Sequence, residues 1–272
     1  MRADLGGVVV GDEPAPDVDV VVADERAHEA VAAAVEANPQ AARALVEVLR
    51  LTEVLPVAQG LVVESLAYST LLAGPEFRRW LHARGPRPVP PVGDEPVLLE
   101  RVDDELVVTL HRPARSNAMA AAVRDALVEA LDVALADPSL SVRLRGAGRS
   151  FCSGGDLDEF GTTPDVVTAH EVRVEQSVGR RLDALGGRLT VEVHGACVGA
   201  GTELAAFGAR VVASGFTFFR LPEVSMGLIP GAGGTVSVPR RIGRHRTAWL
   251  ALTGARLGVE TALAWGLVDE RC

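Results

Sequence analysis

A chain of 272 residues, 48% hydrophobic and 23% charged, has room for one large domain or a domain with an appendage, and apolar content enough for a substantial core. Its net charge of −9 argues against a broad basic face for nucleic acid. All 27 basic residues are arginine, which excludes Schiff-base chemistry on a lysine and leaves any phosphate to Arg or to backbone N–H groups.

Residues 8–10 and 18–22 read as two short valine-rich strands around the turn-rich GDEPAPD segment. From about residue 26 to 81 apolar side chains recur at three- and four-residue steps, through Leu45, Val48, Leu49 and Leu55, then Leu61, Leu66, Leu71 and Leu72. That spacing predicts helices, with Pro39 and Pro75 as starts or breaks. Five prolines between Gly85 and Pro96 predict a stiff, extended linker. The boundary is placed there: a mostly helical N-terminal region over 1–84, the linker over 85–96 and the main domain over 97–272. Residues 97–102 and 105–111 then form a hairpin turned at Asp103–Asp104. Helices are expected over 118–136, 164–185, 200–207, 232–242, 244–253 and 260–264, with strands over 141–144, 189–194 and 210–213. Strands alternating with helices give an α/β class.

The N-terminus does not read as a signal peptide, and no apolar run approaches a membrane span. Cys152, Cys197 and Cys272 have neither metal-like spacing nor a disulfide framework. A reducing, cytoplasmic setting with no metal and no membrane partner is the expectation.

Four segments carry chemistry: HRPARSNAM (111–119), GAGRSFCSGGDLDEF (146–160), HGACVGAGTELA (194–205) and LPEVSMGLIPGAGGT (221–235). Two of them place a glycine-flanked turn where a helix should begin. Two acids accompany them, Glu203 just inside a helix and Glu223 on a later loop. Backbone N–H donors beside two carboxylates can stabilise an enolate and move protons next to it.

In order and spacing these segments resemble the crotonase (enoyl-CoA hydratase/isomerase) superfamily, from about residue 95 to the end of the chain. The resemblance implies a stacked ββα superhelix, preceded here by the small, mostly helical N-terminal region. It implies an acyl-CoA thioester as substrate, with coenzyme A part of that substrate and no separate cofactor, and a homo-oligomer, a trimer or hexamer. The family's two oxyanion donors map to the backbone N–H groups of Gly155 and Ala200. Its two acids map to Glu203 and Glu223, which in the hydratase branch hold a water between them. Gly231 maps to a backbone site that helps hold that water. Arg115, Arg149 and Phe151 fall where the family meets the coenzyme.

Each residue also admits a plainer reading. The glycine clusters suit tight turns, Glu203 suits a helix first turn, and Arg115 and Arg149 suit a solvated surface. Cys152 reads as a small apolar packer, Asn117 as a loop residue bonded to backbone, Asp156 as a helix cap, and Tyr68 as core packing or a pocket wall. The sequence departs from the family at Ala200, where glycine is usual and a methyl could narrow the pocket or forbid a positive φ. It also stops at Cys272, short of a helical tail that covers the acyl pocket in the family. The N-terminal helices are expected to replace that tail. The leading activity is hydration of an enoyl-CoA. The alternatives are isomerisation, decarboxylation or cofactor-free oxygenation of an arylacetyl-CoA, and a non-catalytic acyl-CoA-binding subunit.

Overall fold

The computed structural model describes residues 2–93 and 95–272; residues 1 and 94, the latter within the predicted linker, lie outside the described residues. Three short strands open the chain: β1 (Arg2–Asp4), β2 (Val9–Gly11) and β3 (Val20–Val21), paired in that order. Asp24 then starts α1 (Glu25–Ala37), its side chain accepting from the Ala27 N–H at 2.8 Å. Proline occupies the first turn of both α2 (Pro39–Thr52) and α4 (Pro75–Arg84), where its missing N–H costs nothing and its fixed φ suits the helix. Between them lies α3 (Val57–Leu72).

The predicted hairpin forms as β4 (Val97–Val102) and β5 (Glu105–Leu110), turned at Asp103 with φ of 52°. Next come α5 (Ala121–Ala136) and β6 (Ser141–Gly146). The single helix expected over 164–185 is two, α6 (Val166–Glu175) and α7 (Val178–Leu185). Ser177 interrupts it by accepting from the Arg180 N–H and capping α7. The chain continues through β7 (Leu189–Val193), β8 (Ala196–Val198), α8 (Ala200–Ala205), β9 (Arg210–Ala213) and β10 (Phe218–Arg220). It finishes with α9 (Gly234–Ile242), α10 (Arg244–Thr253), β11 (Leu257–Gly258), α11 (Val259–Trp265) and β12 (Glu270–Arg271).

The main sheet has the order β12-β9-β7-β6-β5-β4, parallel except at the β4–β5 hairpin. A smaller sheet, β11-β10-β8, pairs β8 and β10 in parallel. Strands, turns and helices thus stack as ββα units. The buried core is continuous from Val8 to Val268, so the first 84 residues share it with the rest. In it, α2 and α3 pack on α9, and α3 packs on α6. Polar ties join the two parts as well: Thr52 Oγ1 donates to the Thr235 carbonyl at 2.6 Å, and Arg244 Nη1 to the Val18 carbonyl at 2.6 Å. No single helix among the described residues is long and apolar enough to cross a membrane.

Candidate active site

Two tight turns face each other. After β8, Gly199 turns the chain with φ of 50° and α8 begins at Ala200. A side chain at Gly199 is excluded twice, by that φ and by Glu223 Oε1, which lies 2.5 Å from where a Cβ would sit. Ala200 does not have a positive φ, so its methyl imposes no backbone strain. Opposite lies the Ser153-Gly154-Gly155 turn, held by Met119 N donating to the Gly154 carbonyl and Asp156 N to the Met119 carbonyl. Neither the Gly155 N–H nor the Ala200 N–H donates to an acceptor among the described residues. Both residues line one cleft of about 600 Å³.

That cleft also holds Glu203, Glu223 and Gly231. Glu203 lies in the first turn of α8 and is 2% exposed; Glu223, at the start of the 3₁₀ turn Glu223–Met226, is 8% exposed. Glu203 Oε2 accepts from the backbone N–H groups of Ala232 at 2.7 Å and Gly234 at 2.8 Å. Glu223 Oε2 is buried without a hydrogen-bond partner.

A third carboxylate stands behind the first two. Glu64, on α3 and 2% exposed, accepts from Gly233 N at 2.7 Å, Thr235 N at 2.9 Å and Thr235 Oγ1 at 2.7 Å. The two acids alternate along one loop: Glu203 takes the N–H groups of 232 and 234, Glu64 those of 233 and 235. The Gly-rich segment is held from both sides, and its shape is set by an N-terminal helix.

Burial raises all three acids. Glu64 is pushed up to about 7, opposed by its Thr235 and Gly233 bonds and by Arg173. Glu223 is pushed up to about 8 by burial, with Glu64 adding to the rise. Glu203 is raised well above its ordinary value by burial and then by the charges of Glu223 and Glu64, against its two N–H donors. The folded protein therefore holds protons that the unfolded chain, with Glu at 4.5, has released. Their contribution to stability is fully present below the unfolded value and is lost as pH rises through 7 to 8. We expect the melting temperature to fall between about pH 5 and about pH 8, and Glu64→Gln to flatten that slope; a stability rising over this window in thermal scans contradicts the assignment.

A family model described as enoyl-CoA hydratase/isomerase matches residues 104–272. The chain belongs to that family. It is 35% identical over 175 residues to 2,3-dehydroadipyl-CoA hydratase of Escherichia coli, covering 64% of this chain and 68% of that one. It is 37% identical over 169 residues to 1,2-epoxyphenylacetyl-CoA isomerase of the same organism, covering 60% and 64%. The crystal structure of enoyl-CoA hydratase from Thermoplasma volcanium superposes with a TM-score of 0.60 at 29% identity, covering 65% of this chain and 71% of that one. The chain thus spans about two thirds of the length of these relatives.

The residues expected at the coenzyme are not gathered in one place as those of the cleft are. Arg115 is engaged: its Nη2 donates to Asp156 at 2.9 Å and to Asp158 at 2.6 Å. Phe151 is 0% exposed within the core, which corrects the expectation that its ring meets a ligand. Arg149 is exposed and forms no ion pair with any described residue. Asp156 caps no helix; buried, it ties Arg112 at 2.6 Å to Arg115. Asn117 does bond backbone, donating to the carbonyls of Ala147 and Ser150 at 2.9 Å. Cys152 is fully buried and its thiol is pushed up to about 12 by burial, so it packs without acting as a nucleophile.

Glu64 was not singled out in the sequence, although it left a signal. It is the only charged residue in α3, whose sequence is VAQGLVVESLAYSTLL. A lone acid on a helix that is apolar nearly all round needs buried partners. Tyr68, one turn on, lines the cleft, and its ring lies against Gly231 so closely that a Cβ there would overlap it.

Proposed function

We propose that the protein adds water to the C2–C3 double bond of an enoyl-CoA, syn, and catalyses the reverse dehydration. One observation carries this reading: two buried carboxylates, Glu203 and Glu223, share a cleft with two unengaged backbone N–H donors, Gly155 and Ala200. The thioester oxygen accepts from both N–H groups and gains negative charge as C3 is attacked. One such donor is worth roughly 2.7–4 kcal/mol in a transition state.

The environments divide the acids. Glu203 receives two backbone donors on Oε2, which partly oppose the rise that burial gives it, and as the base of the pair it takes the proton from water as the water oxygen bonds C3. Glu223, whose Oε2 has no donor to stabilise a charge there, is the acid that gives its proton to C2. The step leaves Glu203 protonated and Glu223 ionised; proton exchange with solvent restores the pair. Arg149, exposed and unpaired, is the arginine available to a coenzyme phosphate. The helices α3 and α4 supply Tyr68 and Trp80 to the cleft wall and close the acyl side.

Incubation with short, long and aryl enoyl-CoA thioesters tests the reading. It expects a product heavier by one water. A shifted double bond without gain in mass assigns isomerisation instead, and binding without any product assigns a non-catalytic role. Gly199→Ala is expected to lower turnover by about 10²-fold, because the methyl displaces the Glu223 carboxylate. Unchanged kcat in a folded variant contradicts that placement of Glu223.

A further inference from the structure

Two arginines stand together on the wall of the cleft. Arg124 on α5 and Arg173 on α6 both line the cleft that holds Glu203, a small cavity behind it bounded by Leu61 and Gly233, and a third cavity of about 340 Å³ bounded by Leu72 and Phe160. They stand at the junction of the three. Arg124 is paired with Asp125 at 2.7 Å. Arg173 forms no ion pair with any described residue: its Nε donates to Ser65 Oγ at 3.2 Å, its Nη2 to Ser69 Oγ, and its guanidinium lies 4.7 Å over the Tyr68 ring. The serines and the ring fix the plane of the group, and its Nη1 edge carries no hydrogen bond to any described residue.

Glu64 is the nearest candidate counter-charge, and it is spent on the Gly-rich loop, both oxygens accepting from backbone. Burial works most against the cation at Arg173, Tyr68 and Glu64 partly offset it, and the charge of Arg124 adds to the cost. A planar guanidinium with fixed orientation, a free edge and a second guanidinium bordering the same space suits a carboxylate.

We infer that Arg173, with Arg124 beside it, receives an anionic group at the far end of the acyl chain, so that the preferred substrates are thioesters of dicarboxylic acids rather than of simple fatty acids. This rests on the enoyl-CoA reading for the position of the thioester, and it adds the chemistry of the tail. The same pair could instead meet a coenzyme phosphate; the acyl tail is favoured because both arginines border the cavity behind Glu203, against the apolar Leu61 and Leu204.

The test is binding, which does not depend on turnover. Dissociation constants are measured by calorimetry for saturated monothioesters of dicarboxylic acids of graded length and for alkyl thioesters of matching length. Each is made both with coenzyme A and with pantetheine, which lacks the phosphates. Wild-type protein is expected to prefer at least one dicarboxylic thioester by about tenfold or more in both series, and Arg173→Gln to bring the ratio toward one. No preference in the wild type overturns the inference. So does an Arg173→Gln variant that weakens both acyl classes equally, the result of a purely structural tie between α6 and α3. A loss confined to the coenzyme A series assigns a phosphate site and also overturns it. If the tail preference holds but no enoyl thioester gains water, the hydration reading fails and this one stands.

Discussion

Glu203→Gln is expected to lower the turnover of an enoyl-CoA by about 10²–10⁴-fold with the fold intact. The glutamine carbonyl can still accept from Ala232 N and Gly234 N, so the Gly-rich loop keeps its acceptor. What disappears is the base. The substitution also removes a carboxylate that sits 2% exposed beside two others, so thermal stability should hold or rise. Glu223→Gln should cause a loss of similar size by removing the acid. The double variant should be little worse than either single one, because the two groups act together in one step. Additive losses would mean that each acid works alone. Steady-state kinetics beside thermal denaturation distinguishes lost chemistry from lost fold.

Glu64→Gln is expected to act through both stability and pH. Its carboxylate accepts from three donors, Gly233 N, Thr235 N and Thr235 Oγ1. An amide offers one oxygen, and its NH₂ faces at least one of those donors. A buried group left unsatisfied costs about 1–3 kcal/mol, set against the relief of a buried charge. The loop that positions Glu203 loosens with it. Glu64 also raises both Glu203 and Glu223 by its charge, so both should titrate lower in the variant and the pH–rate profile should move to lower pH. A merely structural Glu64 predicts a lower melting temperature with an unmoved profile. Since the group touches no reacting atom, it is a positioning residue, and the pH profile is the decisive readout.

The legible part of this molecule was the part written in local chemistry. Pro39 and Pro75 start helices because a first turn is where proline costs a helix least, and the Asp103–Asp104 hairpin follows from residues that tolerate a positive φ. Glu203, Glu223, Gly155, Ala200 and Gly231 could be named because their motifs are short and ordered, and the fold brings all five to one cleft. Contacts across long separations stayed hidden. Glu64 meets the loop near residue 233 only in the folded chain, and Arg173 meets Ser65 and Ser69 the same way. β8 and β10, three residues each, carry too little pattern to be read singly. The proline-rich segment marks a boundary in the sequence, and across it α2 and α3 bury their apolar faces on α9 in one shared core, a contact that no local pattern specifies. Phe151 was placed at the coenzyme by the family resemblance alone, whereas its side chain fills the core.

Hydration within this cleft is tested most directly by running the reaction in water labelled with heavy oxygen and deuterium. The expected product carries one labelled oxygen on C3 and one deuterium on C2, added to the same face, and forms at a rate cut sharply by both Glu203→Gln and Glu223→Gln. A bound enoyl-CoA that is recovered unlabelled at C3, or that returns with only a moved double bond, contradicts the account.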